Sequence, residues 1–259
     1  MGSEMCIRDS LDIVGARLGL DRRAIRCADE QDCGSPRPRW PSVMPGGAQP
    51  GSPLDPPAGW ARSPEMVLVR HGETEWSKSG RHTGRTDVPL TEHGRQEARH
   101  LGVALDGRSF AHAWCSPLSR ARDTFELSGV DAPVEILDDL LEWDYGDYEG
   151  VSTAEVRRTI SDWSVWTHPV TGGESVEAVG ERADGVIARL LEVGGDTVLF
   201  AHGQYLRILA ARWIGLPAEA GRLLSLDTAA VSVLGYERET RVIRRWNQSG
   251  YAGESNHRR

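Results

Sequence analysis

The chain has 259 residues, with 30 Lys plus Arg against 38 Asp plus Glu and a net charge of −8. That length is ample for one large α/β domain, and the acidic balance leaves no electrostatic footprint for nucleic acid or an anionic membrane. No apolar run approaches the roughly 20 residues that span a bilayer, so no membrane partner is expected. Four Cys are too few for a disulfide framework.

The averages conceal an uneven chain. Residues 1–64 hold nine of the fourteen prolines and three of the four Cys, with equal numbers of acids and bases. The whole charge of −8 therefore falls on the remainder, and every basic residue but Lys78 is arginine. Such a skew weakens any single Arg as a functional signal. Residues 34–64 are so rich in Pro, Gly and Ser that no core can form, and disorder is expected there. Residues 11–30 offer at most a short, weakly amphipathic helix. The opening MGSEMCIRDS lacks the basic start and ~7–15 apolar residues of a secretory signal, which favours a cytoplasmic protein. Its SEMCIRDS string resembles translated adaptor sequence, so residues 1–64 are read as a disordered or non-native leader, with the start near Met66. Cys27 and Cys33 are spaced unlike a zinc knuckle and are read as inert thiols.

Order begins after Pro64. Met66 to Val69 form a short continuous apolar run, the pattern of a buried parallel strand. Ala98, Leu101, Ala104 and Leu105 mark a helix over 90–105 with Thr91 as N-cap. Residues 111–114 read as a second strand, 117–127 as a helix with Pro117 in its first turn, and 133–137 as a third strand. Val176 to Leu191 carry a long helical stripe closed by Gly194 and Gly195. Residues 197–200 are a strand, Leu206 to Ile214 a further helix face, and 230–236 and 241–246 two final strands. Strands alternating with helices predict a three-layer α/β/α sandwich around a mostly parallel sheet, one domain over 65–250 with a flexible tail at 251–259.

In such a sheet the ligand sits beyond the carboxyl ends of the strands. Three apolar runs end in Arg70-His71-Gly72, in Ser116-Pro117 leading to Arg120, and in His202-Gly203. Two arginines and two histidines at one sheet edge suit a tetrahedral dianion: guanidinium forks grip phosphate oxygens, and an imidazole can attack phosphorus. A carboxylic acid must then protonate the leaving oxygen, and the stretch from Glu142 to Glu149 supplies candidates, with Asp144 the nearest rival to Glu142. No His spacing forms a convincing metal-ligand set, so neither metal nor cofactor is expected.

These residues resemble the histidine phosphatase superfamily, the phosphoglycerate-mutase-like enzymes. Arg70-His71-Gly72-Glu73-Thr74 is similar to its signature. There follow in family order Gly84-Arg85-Thr86-Asp87, Ser116-Pro117-Leu118-Ser119-Arg120, Glu142 with Gly146 and Glu149-Gly150, and Ala201-His202-Gly203. The resemblance implies that His71 is the nucleophile, that Arg70, Arg120 and His202 hold the phosphoryl group, and that Glu142 is the proton donor. It places Ser77, Thr83, Gly84, Gly203 and Gln204 against phosphate or substrate, although the family commonly has Asn where Ser77 stands. His82 lies near enough to line the pocket, and residues 151–175 form a lid. Homo-oligomers are common in the family.

The implied reaction is metal-independent hydrolysis of small phosphorylated metabolites, sugar phosphates or bisphosphates, through phosphohistidine. Sedoheptulose bisphosphatases and actinobacterial acid phosphatases are the branches most similar in motif. The alternative is a bisphosphate-dependent phosphoglycerate mutase, but the mutases carry Arg and His where this chain has Trp143 and Asp144. A neutral or acidic wall there disfavours a carboxylated substrate. An inactive phosphate-binding module is the third reading, opposed by the retained nucleophile and acid.

Overall fold

The computed structural model describes residues 64–249, apart from Asp106. The expectations for the leader before Pro64, for Cys27 and Cys33, and for the tail at 251–259 lie outside the described residues. Strand β1, Met66–Arg70, has its first four residues wholly buried, as its continuous apolar run requires. A short helix α1, Glu75–Ser79, follows, then α2, Glu92–Ala104, capped by the Thr91 hydroxyl, which accepts from Gly94 N. Strand β2, His112–Cys115, leads to α3, Ser119–Ser128, and β3, Val134–Ile136. After the short α4, Thr153–Val156, come α5, Val176–Val193, β4, Thr197–Ala201, and α6, Gly203–Trp213. Strands β5, Ala230–Glu237, and β6, Thr240–Ser249, complete the described chain.

The six strands form one sheet in the order β3-β2-β4-β1-β5-β6. The first four run parallel; β5 is antiparallel to both β1 and β6. Alternation along the strands splits the core into two layers. Met66, Leu68, Trp114 and Leu199 pack with Val186 and Leu190 of α5 and Leu206 and Leu209 of α6. Val67, Val69, Ala113, Val198 and Phe200 face Leu101 of α2 and Ala121 of α3. Each such buried aliphatic contributes ~1.5–3 kcal/mol of transfer free energy. The three-layer sandwich expected from the sequence is the fold.

Helix α3 differs in detail from the expectation. It starts at Ser119 with Leu118 as N-cap, so Pro117 lies outside its first turn. Leu118 has no capping side chain; Asp87 instead reaches across and accepts from both Ser119 N (2.9 Å) and Ser119 Oγ (2.8 Å). That long-range cap fixes the start of α3, and with it Arg120.

Candidate active site

Three neighbouring strands deliver three residues to one sheet edge. The ladder continues one step past the strand ends: His71 N donates to Ala201 O and Ser116 N to Phe200 O, both at 3.0 Å. His202 follows β4 directly. The His71 and His202 rings lie 5.3 Å apart between centroids. Gly72, next to His71, has no room for a side chain, because a Cβ there would meet Gly94 O at 2.4 Å.

Hydrogen bonds fix the tautomers. His71 Nδ1 lies 2.7 Å from Gly72 O, which can only accept, so Nδ1 carries the proton and Nε2 keeps its lone pair. Arg120 Nε donates to His202 Nδ1 at 3.2 Å, so His202 holds its proton on Nε2 and donates it to Ser116 Oγ at 2.7 Å. Burial, followed by the charges of Arg120 and Arg70, holds the His71 imidazole well below the usual histidine range. Burial and then Arg120 do the same to His202.

The two arginines are used differently. Arg120 is fully buried, and besides His202 it donates to Thr86 O (2.9 Å), Gly84 O (2.9 Å) and Thr83 O (3.2 Å). Arg120 is expected to hold the phosphoryl group, and three of its five N–H groups are given to carbonyls because the 83–86 loop folds over it. Glu149 holds that loop, accepting from Gly84 N (2.9 and 3.0 Å) and Thr86 N (3.0 Å). Arg70 donates through one terminal nitrogen to Leu226 O at 2.5 Å, while its buried Nε has no protein partner. Gly203 lies against that guanidinium; a Cβ there would come within 3.2 Å of Nε.

Glu142 is buried, and its carboxylate meets the N-terminus of α6. Oε1 accepts from Trp143 N (2.9 Å) and Tyr205 N (2.8 Å), and Oε2 from Gln204 N (3.0 Å). The rival acid, Asp144, instead turns back to accept from Gly146 N and lies 3.6 Å from Arg85.

The remaining expected positions divide. Thr83 and Gly84 contribute carbonyls to Arg120, and the Thr83 hydroxyl donates to Arg81 O. Gln204 contributes its N–H to Glu142, while its side-chain oxygen accepts from Arg207. The Ser77 hydroxyl donates to Thr74 O (3.0 Å) and accepts from Thr74 N (2.9 Å), so it caps α1. Its one proton is thus already placed. Trp143 also corrects the sequence reading: its indole is buried with Nε1 donating to Glu174 O, so it is core and not a pocket wall.

Sequence reasoning missed Arg207, three residues along α6 from Gln204. Its guanidinium lies over the Trp166 ring at 4.8 Å, and burial lowers its pKa while the Tyr145 and Glu142 charges raise it. The helical spacing from Gln204 was the available signal, obscured by the abundance of arginine. Tyr145 is the other: burial, then Glu142 and Glu149, push its phenol well above the usual range, and His82 packs on it at 4.9 Å. Among the described residues no group of His, Cys, Asp or Glu is arranged to hold a metal ion, and no helix is long and apolar enough to cross a membrane. A cavity of about 340 Å³ between the C-terminal ends of α2 and α3 includes none of these residues.

Comparison with known proteins agrees with this geometry. The family described as the histidine phosphatase superfamily (branch 1) matches residues 66–249. An acid phosphatase of Mycobacterium tuberculosis is 40% identical over 186 residues, 70% of this chain and 91% of that protein. The sedoheptulose 1,7-bisphosphatase of Saccharomyces cerevisiae is 34% identical over 186 residues, 60% of this chain and 69% of that one. A solved structure of a functionally characterised M. tuberculosis reading frame superposes with a TM-score of 0.69 at 38% identity, covering 73% of this chain and 99% of its own. The chain belongs to the histidine phosphatase superfamily. Within it, the protein is a phosphoric monoester hydrolase.

Proposed function

We propose that residues 65–250 form a catalytic domain that hydrolyses phosphate monoesters of small cytoplasmic metabolites, sugar phosphates above all, through phosphohistidine at His71. The observation that carries this reading is the pairing of a bare His71 Nε2 with the buried, partnerless Nε of Arg70. A buried guanidinium N–H without an acceptor marks the place of an anion, and a phosphoryl oxygen supplies it.

In the first step His71 Nε2 attacks phosphorus as the ester P–O bond breaks. Glu142, protonated on Oε2, where only Gln204 N donates, gives that proton to the departing oxygen. In the second step water attacks phosphorus, Glu142 takes its proton, the P–N bond breaks and inorganic phosphate leaves. Arg70 stabilises the growing charge through free donors, while Arg120 acts through its charge and by holding His202.

The test is phosphate release from p-nitrophenyl phosphate and from a panel of sugar phosphates, with His71→Ala as control. Wild type is expected to turn over and to trap an acid-labile, base-stable phosphoenzyme, with activity retained in EDTA. Equal inactivity of wild type and variant across the panel, or efficient glycerate-phosphate interconversion dependent on a bisphosphate primer, overturns the proposal.

A further inference from the structure

Arg182, on α5, is 17% exposed and has no place in the chemistry above, yet all five of its N–H groups are engaged. Nε donates to Glu174 Oε1 at 2.8 Å. One terminal nitrogen donates to Asp139 O (2.8 Å) and Leu141 O (3.0 Å). The other donates to Glu142 O (3.4 Å) and Glu174 Oε2 (3.0 Å). Glu174 in turn accepts from Asp144 N at 2.9 Å, and its own amide donates to Asp144 O at 3.0 Å. Its carbonyl takes the Trp143 indole N–H at 2.8 Å. The Arg182 guanidinium also lies 5.1 Å over the ring of Tyr205, whose N–H binds Glu142. One bidentate pair therefore grips the backbone on both sides of Glu142 and touches the residue that its carboxylate meets.

The segment is also held by backbone contacts and, more loosely, by Arg85, which lies 3.3 Å from Glu174 Oε2. Residues 142–147 approach 171–174 backbone to backbone: Asp147 N donates to Thr171 O at 2.9 Å, and a Cβ on Gly173 would meet Asp144 O at 2.3 Å. A planar fork with five fixed donors can tie three carbonyls and a carboxylate at once, whereas a lysine ammonium cannot.

From this geometry we infer that Arg182 and Glu174 are positioning residues for proton transfer, a clamp that aims the Glu142 carboxyl at the leaving oxygen. The inference rests on the reading of Glu142 as the acid. Its test uses the dependence of rate on the leaving group. An alkoxide needs the proton, while p-nitrophenolate departs well without it, so a misplaced acid harms alkyl esters selectively and a merely loosened scaffold harms both alike.

The experiment compares kcat/KM on glycerol phosphate and on p-nitrophenyl phosphate for wild type, Arg182→Lys, Glu142→Gln and the double variant, each checked for folding by circular dichroism. That ratio covers only the steps up to departure of the leaving group, and so leaves out the base role of Glu142 in the second step. Arg182→Lys is expected to lose about tenfold or more beyond its p-nitrophenyl loss on the alkyl ester, general acids contributing roughly 10²–10⁴ in rate. In the Glu142→Gln background it should add no further selective loss. Equal losses on both substrates, no loss on either, or added selectivity in the double variant overturns the clamp. A Glu142→Gln enzyme with no leaving-group selectivity removes instead the reading on which the clamp rests. If Arg182→Lys does not fold, Glu174→Gln carries the same comparison.

Discussion

Arg120 and His202 are joined at 3.2 Å by a bond that can run only one way, from the guanidinium Nε–H to the imidazole Nδ1. An arginine has no acceptor, so His202 is locked as its Nε2–H tautomer and donates that N–H to Ser116 Oγ. Behind Arg120 stand the carbonyls of Thr83, Gly84 and Thr86, and behind those the carboxylate of Glu149. A residue 65 positions away from Gly84 thus helps to set which nitrogen of His202 carries the proton.

Arg120→Lys tests that chain. A lysine keeps the charge but cannot reach three carbonyls and an imidazole from one plane. The expected result is a fall in kcat/KM of about 10²-fold, the scale for an ångström-sized misplacement of a site group. Long-range ¹H–¹⁵N spectra of His202 should change from a single Nε2–H form to a mixture. A pure Nε2–H signal in the variant would mean that Arg120 does not select the tautomer.

Glu149→Gln should weaken the same chain one step earlier. The amide loses the ionised acceptor for Gly84 N and Thr86 N, and hydrogen bonds to charged groups are worth about 1.5–3 kcal/mol each. A stability loss of about 1–3 kcal/mol in urea unfolding is expected, with reduced kcat/KM. Combined with Arg120→Lys, the two losses in kcat/KM should fall short of additivity, since both act on one loop. Full additivity would show that Glu149 and Arg120 work independently.

Much of this was legible in the sequence, for reasons that can be named. The strands showed because β1 and β4 are buried on both faces and must be continuously apolar. The cap at Thr91 showed because an N-cap hydroxyl is a local device. His71, His202 and Glu142 could be singled out as candidates because strand ends and motif order place them. Side-chain commitments were not legible. Whether Ser77 faces phosphate or caps α1, and whether Trp143 lines a wall or fills the core, depends on partners far along the chain. Asp87 capping α3 from 32 residues away is of the same kind, as is Arg182, indistinguishable in the sequence from its 28 fellow arginines.

The pH dependence follows from the two imidazoles. Burial first, then the arginine charges, lower both histidines in the fold, while in the unfolded chain they titrate near ~6.5. Below ~6.5 the unfolded state binds more protons than the folded one. The stabilisation is therefore complete above that pH and is lost as pH falls toward the folded-state values, by at most ~1.4 kcal/mol per pH unit per group. Activity does not follow stability over the same window, because His71 Nε2 keeps its lone pair in mild acid. Between pH 7 and 5, kcat should hold while the urea-unfolding free energy falls. His202→Gln should flatten the stability slope by about one proton; an unchanged slope would falsify the neutral buried His202.

Two glycines give opposite expectations for one substitution. Gly84 is buried where the 83–86 loop crosses the Glu142 segment, and a Cβ there would meet Trp143 O at 2.5 Å and Glu149 Oε2 at 2.7 Å. Neither neighbour can yield: the first is backbone, and the second is held by the amides of Gly84 and Thr86. Gly84→Ala should cost about 1–3 kcal/mol as overpacking. It should also lower kcat/KM, because the Gly84 carbonyl that moves is an acceptor for Arg120. Gly185 sits in the exposed interior of α5 with nothing within 4 Å of its missing Cβ. There the extra backbone freedom of glycine is only a cost, so Gly185→Ala should stabilise by about 0.5–1 kcal/mol and leave kcat/KM unchanged. Urea unfolding and steady-state kinetics on the pair decide the matter. A neutral Gly84→Ala would mean that the loop can shift without disturbing Arg120, and the chain from Glu149 to His202 would lose its mechanical basis.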